Sequence, residues 1–212
     1  VGVIAALVLG FSLALGLSKV KFLSRTIKSV FFLPLALSLV VVGFIWFWIY
    51  RYDFGLINIF LRAMGRDALT KDWLADPSTA LISVIIAWAW QQVSLSMIIF
   101  LAGLTAVPAD LMEASQVDGA KWRTQIRHVI IPSLAPAISV VISLALINAL
   151  KTFDIVYVMT QGGPYGKTRT LSILSYREAF KSYDFGYSSA IAVVLFILTV
   201  TIIGGFMYLT RR

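Results

Sequence analysis

The sequence has no cysteine, a single histidine (His128), and only 13% charged residues. Without thiols there is no disulfide scaffold, no thiolate nucleophile and no zinc-finger ligand set, and cysteine usage says nothing of the redox compartment. One histidine argues against a histidine-rich metal centre, and no metal or cofactor is expected. Acids are also scarce, with 10 Asp and Glu against 18 Lys and Arg, giving a formal charge of +8. Such an excess raises nucleic acid as a partner. The basic residues, however, sit in the gaps between apolar runs, where a membrane surface suits them better, and no nucleic-acid partner is expected. Polar sequence is the remaining shortage: 59% of the 212 residues are hydrophobic, against about half in an average soluble domain.

A bilayer core of about 30 Å takes roughly 20 apolar residues in a helix. Five runs approach that length: Val1 to Leu17, Val30 to Tyr50, Ala80 to Leu104, Ser133 to Leu150, and Ser188 to Leu209. Helix is the expected state even for the β-rich Val40-Val41-Val42, because an open strand leaves backbone groups unpaired in lipid. The expected fold class is all-α, a polytopic transmembrane helical bundle with at least five spans, forming one transmembrane domain over residues 1–212. The first run opens without Met or a basic n-region, so it does not read as a complete signal peptide. A further crossing upstream is expected.

Lys19, Lys21, Arg25 and Lys28 fill the first gap with no acid among them, which places that gap on the cytoplasmic side. Alternation then puts 51–79 outside, 105–132 inside and 151–187 outside. Lys and Arg divide evenly over the chain, nine to a side, while seven of the ten acids fall outside. Since orientation follows Lys and Arg alone, the first gap carries the assignment. No gap is long enough for a soluble catalytic domain, and no enzyme activity is expected of the chain itself.

The inner segment Pro108 to Pro136 reads PADLMEASQVDGAKWRTQIRHVIIPSLAP. Pro108 suits a first helical position, and Asp110 and Glu113 suit the positive end of a helix dipole. Asp118-Gly119 is a helix stop. A second short helix is expected over Ala120 to Ile130, with Trp122, Ile126, Val129 and Ile130 on one face. Pro132 and Pro136 mark the return to the membrane. The spacing predicts a compact knob of two short helices around a glycine corner, a pattern shared with an interfacial amphipathic hairpin. His128 reads as a solvated residue of this loop.

Glu113-Ala114-Ser115, Asp118-Gly119-Ala120 and Ile131-Pro132 resemble the EAA loop of ABC importer permeases, with Ser115 where the third residue is usually Ala. Phe32-Leu33-Pro34, Gly55-Leu56-Ile57-Asn58, Trp73-Leu74, Asp76-Pro77, Phe100 to Leu104, Phe153-Asp154 and Thr160 to Pro164 resemble the sugar-uptake branch, in particular its maltose-permease-type subunit. The resemblance spans nearly the whole chain in order. It implies the type I importer permease fold and a non-catalytic subunit that moves a sugar or related polyol across a prokaryotic plasma (inner) membrane. The implied partners are two cytoplasmic ATPase subunits, a second homologous permease and an extracytoplasmic solute-binding protein. In this family the 105–132 loop is the coupling element, so Glu113, Ala114, Ser115, Asp118, Gly119 and Ala120 are the expected ATPase contacts.

Polar groups inside spans are costly in lipid and usually face a cavity or another helix. Gln91 and Gln92 in the third run, and Asn148 and Lys151 near the end of the fourth, are the candidates for the substrate path, with Trp88, Trp90, Phe153 and Tyr157 as nearby aromatic faces. Helix-bridging amides and interface aromatics are the competing roles. The segment Gly162 to Thr168, GGPYGKT, follows the strand-like Ile155 to Met159 and looks like a phosphate loop. Its spacing fails, because Gln161 stands where the first glycine is needed, and an outer turn is expected instead. An ion-coupled transporter or channel is the competing function, but such proteins run on ionisable residues inside the membrane, and only Lys151 and Asp154 come near. A structural scaffold would not need the glycine-cornered loop.

Overall fold

The computed structural model describes residues 1–19 and 24–210, and the side-chain surroundings of 1–18 and 29–210. Lys21 and the terminal Arg211-Arg212 lie outside the described residues, as do the side chains of Lys19, Arg25 and Lys28. Among the described residues there is helix and no strand.

The helix α1, Gly2–Lys19, packs along a long later helix, Ala80–Thr105. Between them come α2, Ser24–Ala36, α3, Leu39–Ile49, and the short α4, Leu56–Ala63; the long helix is α5. After it come α6, Ala109–Val117, α7, Trp122–Ser133, and α8, Ala135–Leu150, the last two meeting at a 70° bend. The chain closes with α9, Asp154–Thr160, α10, Leu171–Phe180, and α11, Phe185–Thr210.

Among the described residues, only α5 and α11 are each long and apolar enough to cross a bilayer unaided. The bent pairs α2–α3 and α7–α8 reach that standard as pairs, and α1 is a shorter apolar helix. The run Val30 to Tyr50, expected as one uninterrupted span, is broken: α2 and α3 meet at 107°. Pro34 lies in the last turn of α2, where it withholds a donor from the helix. Ser38 then starts a new helix, its hydroxyl accepting from Val41 N at 3.3 Å.

α1 and α5 run parallel. A Cβ placed on Gly2 would meet Trp88 and Ile85, and one placed on Gly10 would lie 2.6 Å from Ser96 Cβ, with the Val93 carbonyl also in reach. Glycine at position 10 is thus what lets the two backbones approach, the usual device between helices in lipid. Further along, Phe11 meets the edge of Phe100 at 5.5 Å, and Ala14, Leu17, Met97, Phe100 and Val141 form one core. With the basic first gap taken as cytoplasmic, both helices begin at the outer side. A second core there joins Val42 of α3 and Tyr50 at its end to Val84, Trp88, Ile155, Val156, Met159 and Ile173. Ile155 to Met159, which look strand-like in sequence, are helical in α9; a lone strand there would have no partner for its backbone groups.

Candidate functional site

The polar side chains of α5 cluster near its middle. Gln91, Gln92, Ser94 and Ser96 are all buried. The Gln91 amide Nε2 donates to Leu37 O at 2.7 Å and to Pro34 O at 3.3 Å. It therefore supplies the Leu37 carbonyl that the α2–α3 break leaves open, a need that water would meet outside a membrane, and adds a second bond to the Pro34 carbonyl, which also accepts from Leu37 N at 3.4 Å. One residue on, Gln92 Oε1 accepts from Asn148 Nδ2 at 3.2 Å. That bond ties α5 to α8 at the same depth as the break.

Of the four path candidates, the structure pairs Gln92 with Asn148, turns Gln91 toward the broken helix, and sends Lys151 elsewhere. Lys151 ends α8 and lines an open groove of about 870 Å³ between α8, α10 and α11, with Phe153, Ser172, Ser175, Tyr176 and Ser188. Beside it the aromatic rings form one assembly. Phe153 stacks on Tyr157 with centroids 5.3 Å apart, and Tyr176 packs 5.2 Å from each of them. Phe180 follows at 5.1 Å from Tyr176. Sequence reasoning missed Tyr176, which lies far along the chain from Phe153; the Tyr176–Phe180 spacing on one helical face was the available signal. Trp88 and Trp90 belong to the core instead, Trp90 meeting Trp46 edge-on at 6.0 Å.

The inner loop is built around its glycine. α6 ends at Asp118; Gly119 takes φ +74°, with its N–H donating to Gln116 O at 3.0 Å and the Ala120 N–H donating to Ser115 O at 2.9 Å. These two bonds are the Schellman closure, which needs a left-handed residue at this place. Nothing lies within 4 Å of a Cβ on Gly119, so the backbone angle and not crowding demands glycine. Ser115 Oγ donates to Met112 O at 2.7 Å, and that bond keeps the hydroxyl within its helix. Glu113, Ala114, Asp118 and Gly119 are exposed, and beside them Val117 is bare, 88% exposed.

The second helix departs from expectation. It starts at Trp122 and runs through Pro132 to Ser133, and its turns over Ile126–Ile130 are widened to π geometry. A proline ring crowds the preceding turn and offers no donor, and a widened turn accommodates both effects. Of the expected apolar face, Ile130 is buried and Ile126 and Val129 are half-buried, with Gln125 buried beside them, while Trp122 is exposed. His128 is exposed, its Nδ1 3.2 Å from Thr124 O within the helix. Both feet of the loop meet: a Cβ on Gly103 would lie 2.6 Å from Leu134 Cδ2 and 3.1 Å from Ala137 Cβ.

The GGPYGKT segment is a turn. Thr168 Oγ1 donates to Gly163 O at 2.7 Å and pairs with Thr160 Oγ1 at 2.7 Å, and the helix before it is α9, not a strand. Thr170 then caps α10 by accepting from Ile173 N at 3.2 Å.

The family model described as "Binding-protein-dependent transport system inner membrane component" matches residues 6–212. A probable ABC transporter permease of Pyrococcus horikoshii is 36% identical over 205 residues, covering 96% of this chain and 70% of the relative. A xylose/arabinose import permease of Haloferax volcanii is 36% identical, over 95% of this chain and 63% of the relative. A trehalose/maltose transport system permease of Thermococcus litoralis is 33% identical, over 92% and 65%. The chain thus spans roughly two thirds of these relatives' lengths. A crystal structure of a bacterial ABC transporter that imports the acidic polysaccharide alginate shares the fold, with TM-score 0.88 at 22% identity over 97% of this chain and 72% of that one. The chain belongs to the family of binding-protein-dependent transport system inner membrane components.

Proposed function

We propose that this protein is the permease subunit of an ATP-driven importer that carries a sugar or related polyol across a prokaryotic inner membrane, paired with a second permease, two ATPase subunits and a solute-binding protein. The observation that carries the reading is the inner knob. A glycine-closed corner between α6 and α7 holds Glu113, Ala114 and Asp118 exposed beside a bare Val117, with Ser115 and Ala120 bonded into the closure. Such a surface suits the cleft of a separate motor protein, which supplies the energy that this chain cannot. Motion of the docked knob then biases two arrangements of the membrane helices. The printed names of relatives that import xylose, arabinose, trehalose and maltose support the cargo class. Gln92 and Asn148, bonded at mid-depth, and Lys151 with the aromatic rings of Phe153 and Tyr176, are the proposed path contacts. Gln91 serves that path by positioning the broken helix.

The test is ATP hydrolysis by the reconstituted complex, stimulated by the loaded binding protein across a panel of sugars. Stimulation and uptake should coincide for one sugar class. Glu113→Lys and Gly119→Pro should each release the ATPase during purification. Retention of the ATPase by both variants, or uptake at full rate without nucleotide, would overturn the assignment.

A further inference from the structure

The short helix α4 has two unlike faces. One is occupied: Ile57 packs on the outer core, and Asn58 is buried with its side chain saturated. Asn58 Nδ2 donates to Tyr52 O at 3.2 Å and Lys71 O at 2.9 Å, while Oδ1 accepts from Trp73 Nε1 at 2.9 Å. The other face is apolar and exposed. Leu56, Ile59 and Phe60 recur at the spacing of one helical stripe, and Met64 extends it; Leu56 is 66% exposed and Phe60 65%. A contiguous apolar stripe on a solvated helix marks a contact surface.

Two observations select the contact. The exposed face of α3, formed by Val40, Val41, Phe44, Ile45 and Trp48, belongs to a membrane-spanning pair. It continues into the α4 stripe through Phe54, whose ring lies 5.4 Å from Trp48. At the junction the residue types change to those that favour the bilayer boundary. Trp48, Tyr52 and Phe54 are exposed aromatics of the kind that anchor at the headgroup level. The Arg51 guanidinium lies 5.6 Å from the Phe47 ring and 5.7 Å from that of Phe54. The charged head thereby rests on aromatic faces, an arrangement suited to the bilayer boundary, where basic and aromatic side chains gather.

We propose that α4 is an interfacial helix bedded in the lipid at the outer end of α3, with Leu56, Ile59, Phe60 and Met64 among the acyl chains. The stripe's occupant is phospholipid. Its opposite face, through Asn58, holds the loop that reaches Trp73. In this position α4 sets the depth of α3, which at 11 residues is too short to span the bilayer alone. The inference rests on the membrane placement of the chain and not on which cargo it carries.

The absence of cysteine permits single-site labelling in the reconstituted importer, with the other subunits free of reactive thiols. A nitroxide on Phe60→Cys should collide more with oxygen, which partitions into lipid, than with a polar nickel chelate. One on the exposed Asp67→Cys should show the reverse. Nickel accessibility at position 60 should be about tenfold below that at 67, since moving a polar group into hydrocarbon costs more than the roughly 1.4 kcal/mol to which that factor corresponds. The pattern should hold with and without the binding protein. Equal nickel accessibility at both sites overturns the proposal, and shielding of position 60 only when the binding protein is bound assigns the stripe to that protein instead. If the cysteine variants fail to assemble, Phe60→Trp decides the matter: phospholipids brominated near the headgroup should quench the fluorescence component that this substitution adds, and no quenching overturns the proposal.

Discussion

Gln91 reaches across from the middle of α5 and closes the break in a different helix, its amide donating to Leu37 O at 2.7 Å. The position calls for a long neutral donor, because two carbonyls, those of Pro34 and Leu37, emerge from a helix end within the membrane. Gln91→Leu keeps the bulk and removes the donor. The expected loss is roughly 1–3 kcal/mol, the cost of leaving a buried acceptor, the Leu37 carbonyl, unpaired. It should appear as a lower thermal unfolding midpoint of the solubilised complex, and an unchanged midpoint would show the bond to be dispensable.

The Gln92–Asn148 bond should behave as a coupled pair. Each single change to Ala should raise the KM for uptake, and the double change should cost less than the sum, with an interaction energy of about 0.5–3 kcal/mol as contacting residues show. Strict additivity would mean that the two amides act separately. Unchanged uptake kinetics in Gln92→Ala, Asn148→Ala and Lys151→Ala alike would remove these residues from the path.

Gly119→Ala tests the corner. Placing a side chain at φ +74° costs about 1–2 kcal/mol, and the strain falls on the Schellman closure. Amide exchange in Ala109–Val117 should speed up, and ATP hydrolysis should become partly uncoupled from uptake. Exchange rates equal to those of the unsubstituted chain would show that the loop tolerates another closure.

Two glycines of α1 provide a matched pair. Gly10 faces Ser96 closely enough that a Cβ would sit 2.6 Å from its Cβ, whereas nothing lies within 4 Å of one on Gly16. Gly10→Leu should therefore force α1 off α5 and lower the yield of assembled complex, at a cost of at least the 1–3 kcal/mol or so of ordinary overpacking. Gly16→Leu should be accepted. Equal yields would mean that α1 can slide along α5 without loss.

The apolar runs were legible because hydropathy reports membrane burial residue by residue, and the Asp118-Gly119 corner because glycine and a capping residue act within a few positions. Both depend on near neighbours in the chain. The break at Leu37-Ser38 was hidden because Pro34 alone only bends a helix; what permits a 107° turn is Gln91, which is remote in sequence. The continuation of α7 through Pro132 was missed for the opposite reason: a local breaker was overruled by a widened turn upstream. Among the path candidates, residue type pointed to polar groups in spans but could not say which faced each other. Asn148 and Lys151 are one turn apart, yet one meets Gln92 and the other opens onto the groove beside Tyr176.

The contact of Gly103 with Leu134 and Ala137, together with the amide bond higher up between Gln92 and Asn148, rivets α5 to α8 at two heights. A hairpin fastened only at its tip would splay when pressed and dissipate the stroke. Under the proposed coupling, a hairpin fastened twice would rock as a single beam, so displacement applied to the knob would arrive at mid-membrane as tilt and carry the Gln91 latch and the broken helix with it.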